Sequence, residues 1–281
     1  AGFPDVWIIK NKVNLGFSGG NNVGIRELNR SQYDYIWVLN NDTEVDPECL
    51  KIQYDFMENA PDVAGCCGKI LHSDSRNTIW YAGARLNRFK LRVFPIGMLE
   101  TDNGQHDLMQ KTSFITGCSM FVRGDVWRRI GMFDEKFFAY CEDIDWCLRA
   151  EKQNFEFRYL PEAVIYHKVS ASFGKTKGKQ TIWKIPPLVI YLSERNQLFL
   201  IKRWKSRFGL LVLYVLKIPR ILYYSTGLLL LRKFDNFCAL WKGTYDGLFN
   251  PGSEVSIRQY VKDLSRMPAA LDLSRTEVNQ R

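Results

Sequence analysis

Four carboxylates, a histidine and a glycine-rich turn are the residues of this chain whose types and spacing could do chemistry. Asp42 closes Asn40-Asn41-Asp42, directly after the apolar run Tyr35-Ile36-Trp37-Val38-Leu39. A short buried strand that stops abruptly in small polar residues puts a carboxylate just beyond its carboxyl end. There, in open α/β sheets, ligands gather and a hard cation can meet an anionic group. A turn capping the next helix would use the same residue types. The second acidic stretch is Glu142-Asp143-Ile144-Asp145. Ile144, Cys147 and Leu148 fall at i, i+3 and i+4 and mark a core-facing helix stripe with the acids off it. Glu142 and Asp143 fall in the first turn, where the helix dipole favours the ionised carboxylate that a general base must be. On these residues alone a purely structural account is the favoured one: first-turn acids are common, and Asp145 with Arg149 at i, i+4 would be a surface ion pair. His167 ends the apolar run Ala163-Val164-Ile165-Tyr166, next to a basic loop from Lys168 to Lys179 where a metal or phosphate ligand could sit.

Upstream, Asn14-Leu15-Gly16-Phe17-Ser18-Gly19-Gly20-Asn21-Asn22-Val23-Gly24 leads into a helix expected through Leu28. Glycines at this density let backbone amides approach a ligand, and the helix N-terminus that follows favours negative charge, so the segment is a candidate diphosphate cradle. A tight strand-to-helix turn is the alternative. The segment lacks Gly-Lys-Ser/Thr and the G-x-G-x-x-G spacing, which disfavours an NTPase or an NAD enzyme.

The elements that must position these groups alternate. Val6-Trp7-Ile8-Ile9 reads as a strand, then come the glycine-rich helix, the strand ending at Asn40, a helix from Asp46-Pro47 to about Glu58, and a strand from Val63 to Ile70. The β-α-β-α-β order predicts an α/β fold with a mixed, mainly parallel sheet and flanking helices. Strand-like pieces are expected near Thr78–Ala82 and Phe89–Pro95. Thr112 to Val122 reads as a strand in which Gly117 marks a bulge or a close approach. A helix over 124–130, the helix from Glu142 stopping at Asn154 in the left-handed position, and strands over 155–160 and 163–166 complete the series.

From Pro186 the character changes. Tyr191 to Lys202 is helical with Arg195-Asn196 embedded among apolar residues, and Phe208 to Leu231 is apolar but interrupted by Lys217, Pro219 and Arg220. The uninterrupted runs are shorter than the ~20 residues a membrane span needs, so a surface-lying helical hairpin fits better. A helical subdomain packed on the core is the competing account. The net charge of +9 is local: residues 168–233 hold 14 Lys and Arg against the single acid Glu194, while the rest of the chain is net acidic. Basic charge mixed with apolar runs points to an anionic membrane surface rather than nucleic acid, for which no binding motif is present. The seven cysteines show no C-x-x-C pair, as expected of reduced thiols in a cytosolic protein, and three histidines cannot frame a zinc site. At 281 residues, 46% hydrophobic and 25% charged, the chain is globular with ample core, and only its end is expected to be disordered.

In this order the segments resemble the family 2 glycosyltransferases of the GT-A fold, and among them the rhamnosyltransferase-like enzymes of bacterial surface polysaccharide assembly. The resemblance rests on Asn14 to Phe17 with Asn21 to Gly24, Leu39 to Thr43, Gly131 to Asp134 with Phe137-Phe138, Glu142 to Asp145 with Arg149, and Pro161 through His167. It spans residues 6 to about 174. It implies that Asn40-Asn41-Asp42 replaces an Asp-x-Asp signature, with Asp42 and His167 holding Mg or Mn on the diphosphate of a nucleotide sugar. It implies that Asp143 is the base, with Glu142 and Asp145 placing it or the acceptor, and that Asn14, Gly16, Asn21, Asn22, Asn40 and Asn41 line the donor site. The reaction implied is inverting transfer of a sugar, with dTDP-rhamnose the expected donor, to a lipid-linked or polysaccharide acceptor by a cytoplasmic enzyme peripheral on the inner face of the plasma membrane. The family's first β-α-β unit has no counterpart before Val6, so a truncated chain is expected. A catalytic domain over 1–180, a membrane-associating helical region over 181–250 and a polar tail over 251–281 are expected. A non-catalytic sugar-nucleotide or membrane-binding module is the alternative; the oligomeric state is not encoded legibly.

Overall fold

The computed structural model describes residues 6–168, 182–250 and 257. The basic loop beyond Lys168 and the polar tail, Ile257 apart, lie outside them. Helix α1 (Gly16–Arg30) precedes β1 (Tyr35–Leu39), β2 (Thr43–Val45), α2 (Cys49–Asn59) and β3 (Val63–His72). A less regular excursion holds β4 (Ser75–Tyr81), β5 (Ala84–Asn87), β6 (Arg92–Pro95) and β7 (Gln110–Thr112), and then come β8 (Ser119–Arg123), α3 (Gly124–Ile130), a 3-10 turn (Glu135–Phe137), α4 (Glu142–Lys152) and β9 (Glu156–His167). The central sheet has the order β1-β8-β3-β9-β2, with β4 added to β3 and β7 to β9. β3 is buried from Val63 to Leu71, as a strand covered on both faces must be. Trp127, Trp146 and Tyr159 fill the core beside it.

The α/β class and the mixed sheet are as expected, but the sheet is less parallel than the alternating element order implied. Among the described strands only β3 and β9 pair in parallel. β8 runs antiparallel to both β1 and β3 and lies between them, so β1 and β3 share a direction without touching. A strand arriving after the long excursion 73–118 takes the neighbour position that the local β-α-β rule assigns to the next strand in sequence. Two further expectations change. Val6–Ile9 forms no strand and is exposed. The two short runs over 155–166 are one strand: opposite Gly68 and Lys69 the register jumps from Leu160 to Val164, so residues 161–163 bulge and the strand continues to His167.

The C-terminal helices are α5 (Pro187–Trp204), α6 (Arg207–Leu230) and α7 (Phe234–Phe249). α7 packs closely on α5 because small residues allow it: a Cβ on Gly243 would lie 2.6 Å from the Tyr191 carbonyl oxygen, and one on Gly247 2.9 Å from that of Arg195. Lys217, Pro219 and Arg220 do not break α6, which is long and apolar enough by length and composition to cross a membrane. With Leu213 and Ile221, Lys217 lies on the inward stripe of the helix, and both cations pair with the buried Glu194 of α5. The opposite stripe leaves Phe208, Leu211, Val215, Ile218, Leu222 and Leu230 exposed.

Candidate active site

Asp42 follows β1 by three residues. The register Thr43↔His167 between β2 and β9 brings His167 beside it, and Lys168 N–H donates to the Asp42 carbonyl at 2.9 Å. Asp42 Oδ1 and His167 Nε2 are 3.1 Å apart, and Asn40 Nδ2 is 3.5 Å from the same ring nitrogen. Trp80 and the imidazole form a T-shaped pair with ring centroids 4.9 Å apart. Burial by itself would raise the Asp42 carboxyl. The His167 hydrogen bond and charge, its own amide and Asn40 outweigh burial and hold the group below its ordinary value. The pair is an ionised carboxylate facing an imidazole nitrogen, a donor set that suits a divalent cation. Among the described residues no group of three His, Cys, Asp or Glu side chains converges, so a cation here would draw its remaining ligands from water or an anionic substrate. His167 Nδ1 is buried with no hydrogen-bond partner, so the second nitrogen imposes no tautomer on the first.

Glu142 and Asp143 open α4. Asp143 Oδ2 accepts from Gly117 N–H at 3.1 Å, and Oδ1 from Ile144 N–H at 2.8 Å. Gly117 is the strand glycine marked in the sequence: a Cβ there would lie 2.9 Å from the Phe17 ring and 3.7 Å from Asp143 Oδ2, so only glycine leaves room for this approach. Burial is the main cause that raises both carboxyls, and the Asp143 charge adds to the rise at Glu142. Glu142 Oε2 is buried with no partner, whereas Asp143 has two firm amide donors. Glu142, raised by the Asp143 charge as well as by burial, therefore keeps its proton to higher pH than Asp143 does.

Both centres lie at one end of the β1–β8 pair. Leu39 stands opposite Ser119, Asn40 N–H donates to the Cys118 carbonyl at 3.0 Å, and Gly117 next to it donates to Asp143. The Cys118 thiol, buried between them, is raised by burial and, after Cys67, by the charges of Asp42 and Asp143.

The other sequence candidates divide. Asn41 is exposed beside Asp42. Gly19, Gly20 and Gly24 lie within α1 rather than in a loop, because the turn is completed earlier, where Gly16 N–H donates to Asn14 Oδ1 at 2.8 Å. Ser18 N–H donates to the Phe138 carbonyl at 3.0 Å, which removes another amide from any cradle. Asn21 bonds back to the Phe17 carbonyl. Asn22, 1% exposed, exchanges two hydrogen bonds with the Phe133 backbone, so it joins α1 to the turn at 133 and is not a ligand contact. Asp145 is fully buried and faces away from Asp143. It accepts from Arg149 Nε and Trp204 Nε1 at 2.9 Å and pairs with Arg203, so the expected surface ion pair is an internal lock between α4 and α5. In an open cleft at the other end of β1, near Tyr35, Tyr54 and Arg123, Tyr35 OH donates to Glu58, and Arg123 donates to the carbonyls of Met57, Ala60 and Val63.

The sequence profile described as glycosyl transferase family group 2 matches residues 35–241. The low-salt glycan biosynthesis hexosyltransferase Agl10 of Haloferax volcanii is 29% identical over 154 residues, covering 53% of this chain and 48% of that protein. The N-acetylglucosaminyl-diphospho-decaprenol L-rhamnosyltransferase of Mycobacterium tuberculosis is 23% identical over 214 residues, 69% of each chain. Rhamnosyltransferase WbbL of Escherichia coli is 25% identical over 123 residues, 40% of this chain and 47% of that one. The chain thus spans about half the length of the first and last of these relatives. Among solved structures, GalNAc-T7 with UDP, GalNAc and Mn2+ superposes with a TM-score of 0.51 at 10% identity, covering 92% of this chain and 46% of that one, a likeness of fold.

Proposed function

The chain belongs to glycosyl transferase family group 2, and from that premise we propose that it is an inverting sugar transferase in which Asp143 is the general base and Asp42 with His167 forms the donor-phosphate end of the site. The observation that carries this assignment is the union of both centres at one end of β1 and β8, through Asn40 on Cys118 and Gly117 on Asp143. In the step proposed, an acceptor hydroxyl oxygen forms a bond to the anomeric carbon, the bond from that carbon to the diphosphate oxygen breaks, and the hydroxyl proton passes to Asp143. Burial holds the proton affinity of Asp143 above the ordinary carboxylate range, and Glu142 beside it keeps its own proton. Asp42 and His167 would hold Mg or Mn, which when bound stabilises negative charge on the departing diphosphate. Asn40 and Asn41 flank that position, with Asn14 and Gly16 at the start of α1.

A dTDP-rhamnose donor and a lipid-diphosphate acceptor are proposed because two of the relatives are named rhamnosyltransferases and one carries a diphospho-decaprenol in its name. The exposed apolar stripe of α6 next to basic residues fits attachment to an anionic membrane on its cytoplasmic face. Turnover of a panel of nucleotide sugars with Mn2+, in the full-length protein with a polyprenyl-diphosphate sugar as acceptor, tests the proposal. Metal-dependent turnover of one donor that Asp42→Ala abolishes is expected. A folded protein that turns over none of them would instead be a sugar-nucleotide or membrane-binding module.

A further inference from the structure

Residues 136–141, which hand the chain to α4, hold an unusual backbone. Phe138, at φ 65° and ψ −62°, is the centre of a γ-turn closed by Ala139 N–H on the Phe137 carbonyl at 2.8 Å. Tyr140 and Cys141 follow at φ 72° and 71°. None of the three is glycine, and residues held in such conformations persist only where their surroundings over-determine them. The next two residues are Glu142 and Asp143, so any relaxation of this segment moves the carboxylates.

The carbonyls of the segment show what over-determines it. That of Lys136 accepts from Arg195 Nη1 at 3.0 Å. Those of Phe137, Ala139 and Tyr140 all accept from Asn196 Nδ2, at 2.8, 2.7 and 2.9 Å. Phe138 accepts from Ser18 N–H of α1, and Cys141 from Asp145 N–H of α4. Four of six carbonyls therefore depend on two adjacent side chains of α5, both fully buried, and Arg195 Nη1 also donates to Asn196 Oδ1, which orients the amide.

We propose that Arg195 and Asn196 are a positioning pair for the base: by holding residues 136–140 in their left-handed turn from outside the sheet, they fix where Asp143 meets the Gly117 amide. This rests on the assignment of Asp143 as the base. It makes α5 part of the catalytic apparatus and not only an attachment for the helices that follow. Neither side chain touches substrate; they act through the backbone that carries the carboxylate.

The test is Asn196→Ala in the full-length protein, with the donor that turns over in the panel above and with Mn–UDP and Mn–dTDP binding as the donor-side control. Expected are a kcat lowered ~100-fold, since small misplacement of a reacting group costs that much, a donor KM and nucleotide affinity within about 3-fold of wild type, and an ascending pH limb of kcat/KM displaced toward the ordinary carboxylate range as water reaches Asp143. Should Asn196→Ala fold poorly, Cys141→Gly is added, which removes the left-handed cost at one position. Thermal stability is then expected to recover while kcat and the pH limb do not. The proposal is overturned if a folded Asn196→Ala protein keeps wild-type kcat and pH limb, or if Cys141→Gly restores kcat together with stability. Asp143→Asn run alongside separates the two ideas: if it retains turnover, the base assignment itself fails; if it is inactive while Asn196→Ala is unimpaired, only the positioning pair fails.

Discussion

The two acidic centres at the end of β1 and β8 are tuned in opposite directions. Asp42 is partly open to water and faces a histidine, which holds its carboxyl below the usual value. Asp143 lies inside the molecule beside a second carboxyl, and burial raises both. A group that must attract a cation needs its charge at every working pH, whereas a group that must take a proton needs affinity for it. One centre gets its bias from a charge partner and the other from exclusion of water. The difference separates the two roles proposed for them, which the residue types alone, Asp and Asp, leave identical.

That division can be broken by substitution. The largest effect belongs to the residue proposed as the base: Asp143→Asn should lower kcat by ~10²–10⁴-fold with nucleotide binding retained, measured by steady-state transfer and calorimetry. Next is Asp145, which sharpens the contrast because it is an acid of the same helix held by Arg149, Arg203 and Trp204. Asp145→Ala leaves Arg149 and Arg203 without their buried partner and should cost about 3–5 kcal/mol of stability, read from denaturant unfolding. Asp42→Asn should weaken Mn2+ activation at least ~10-fold without moving the unfolding midpoint comparably, read from a metal titration of the rate.

The smallest effect runs in the favourable direction. A carboxyl whose folded pKa lies above its unfolded value destabilises the fold as pH rises from the ordinary range through the raised one. Glu142→Gln should therefore raise the melting temperature at neutral pH, by about 2–4 °C per kcal/mol relieved. The gain should vanish in acid below the ordinary carboxylate range, where Glu142 is protonated in both states. Scanning calorimetry at two pH values checks it.

Much of this was legible in local sequence. The apolar run ending at Asn40, the left-handed Asn154 at φ 64°, and Gly117 as a point of close approach all follow from one residue and its neighbours. What was not legible depends on partners remote in the chain. Asn21 and Asn22 look alike beside a glycine-rich run, yet Asn22 is committed to Phe133, 111 residues on. Asp145 reads as a surface acid until α5 delivers Trp204 and Arg203 to it. The insertion of β8 between β1 and β3 has no local signature, and neither does the raised proton affinity of Asp143, which comes from what covers it. The break in hydropathy at Lys217 and Arg220 was real, but its cause is Glu194 on the neighbouring helix.

The measurement that tests the account most directly is the pH dependence of kcat/KM for wild type and Glu142→Gln. The account predicts an ascending limb above the ordinary carboxylate range in the wild type, because burial favours the protonated base, and the same limb in the variant, because Glu142 still holds its proton when Asp143 titrates. A wild-type limb at the ordinary carboxylate value, or one that Glu142→Gln displaces to lower pH, would contradict it.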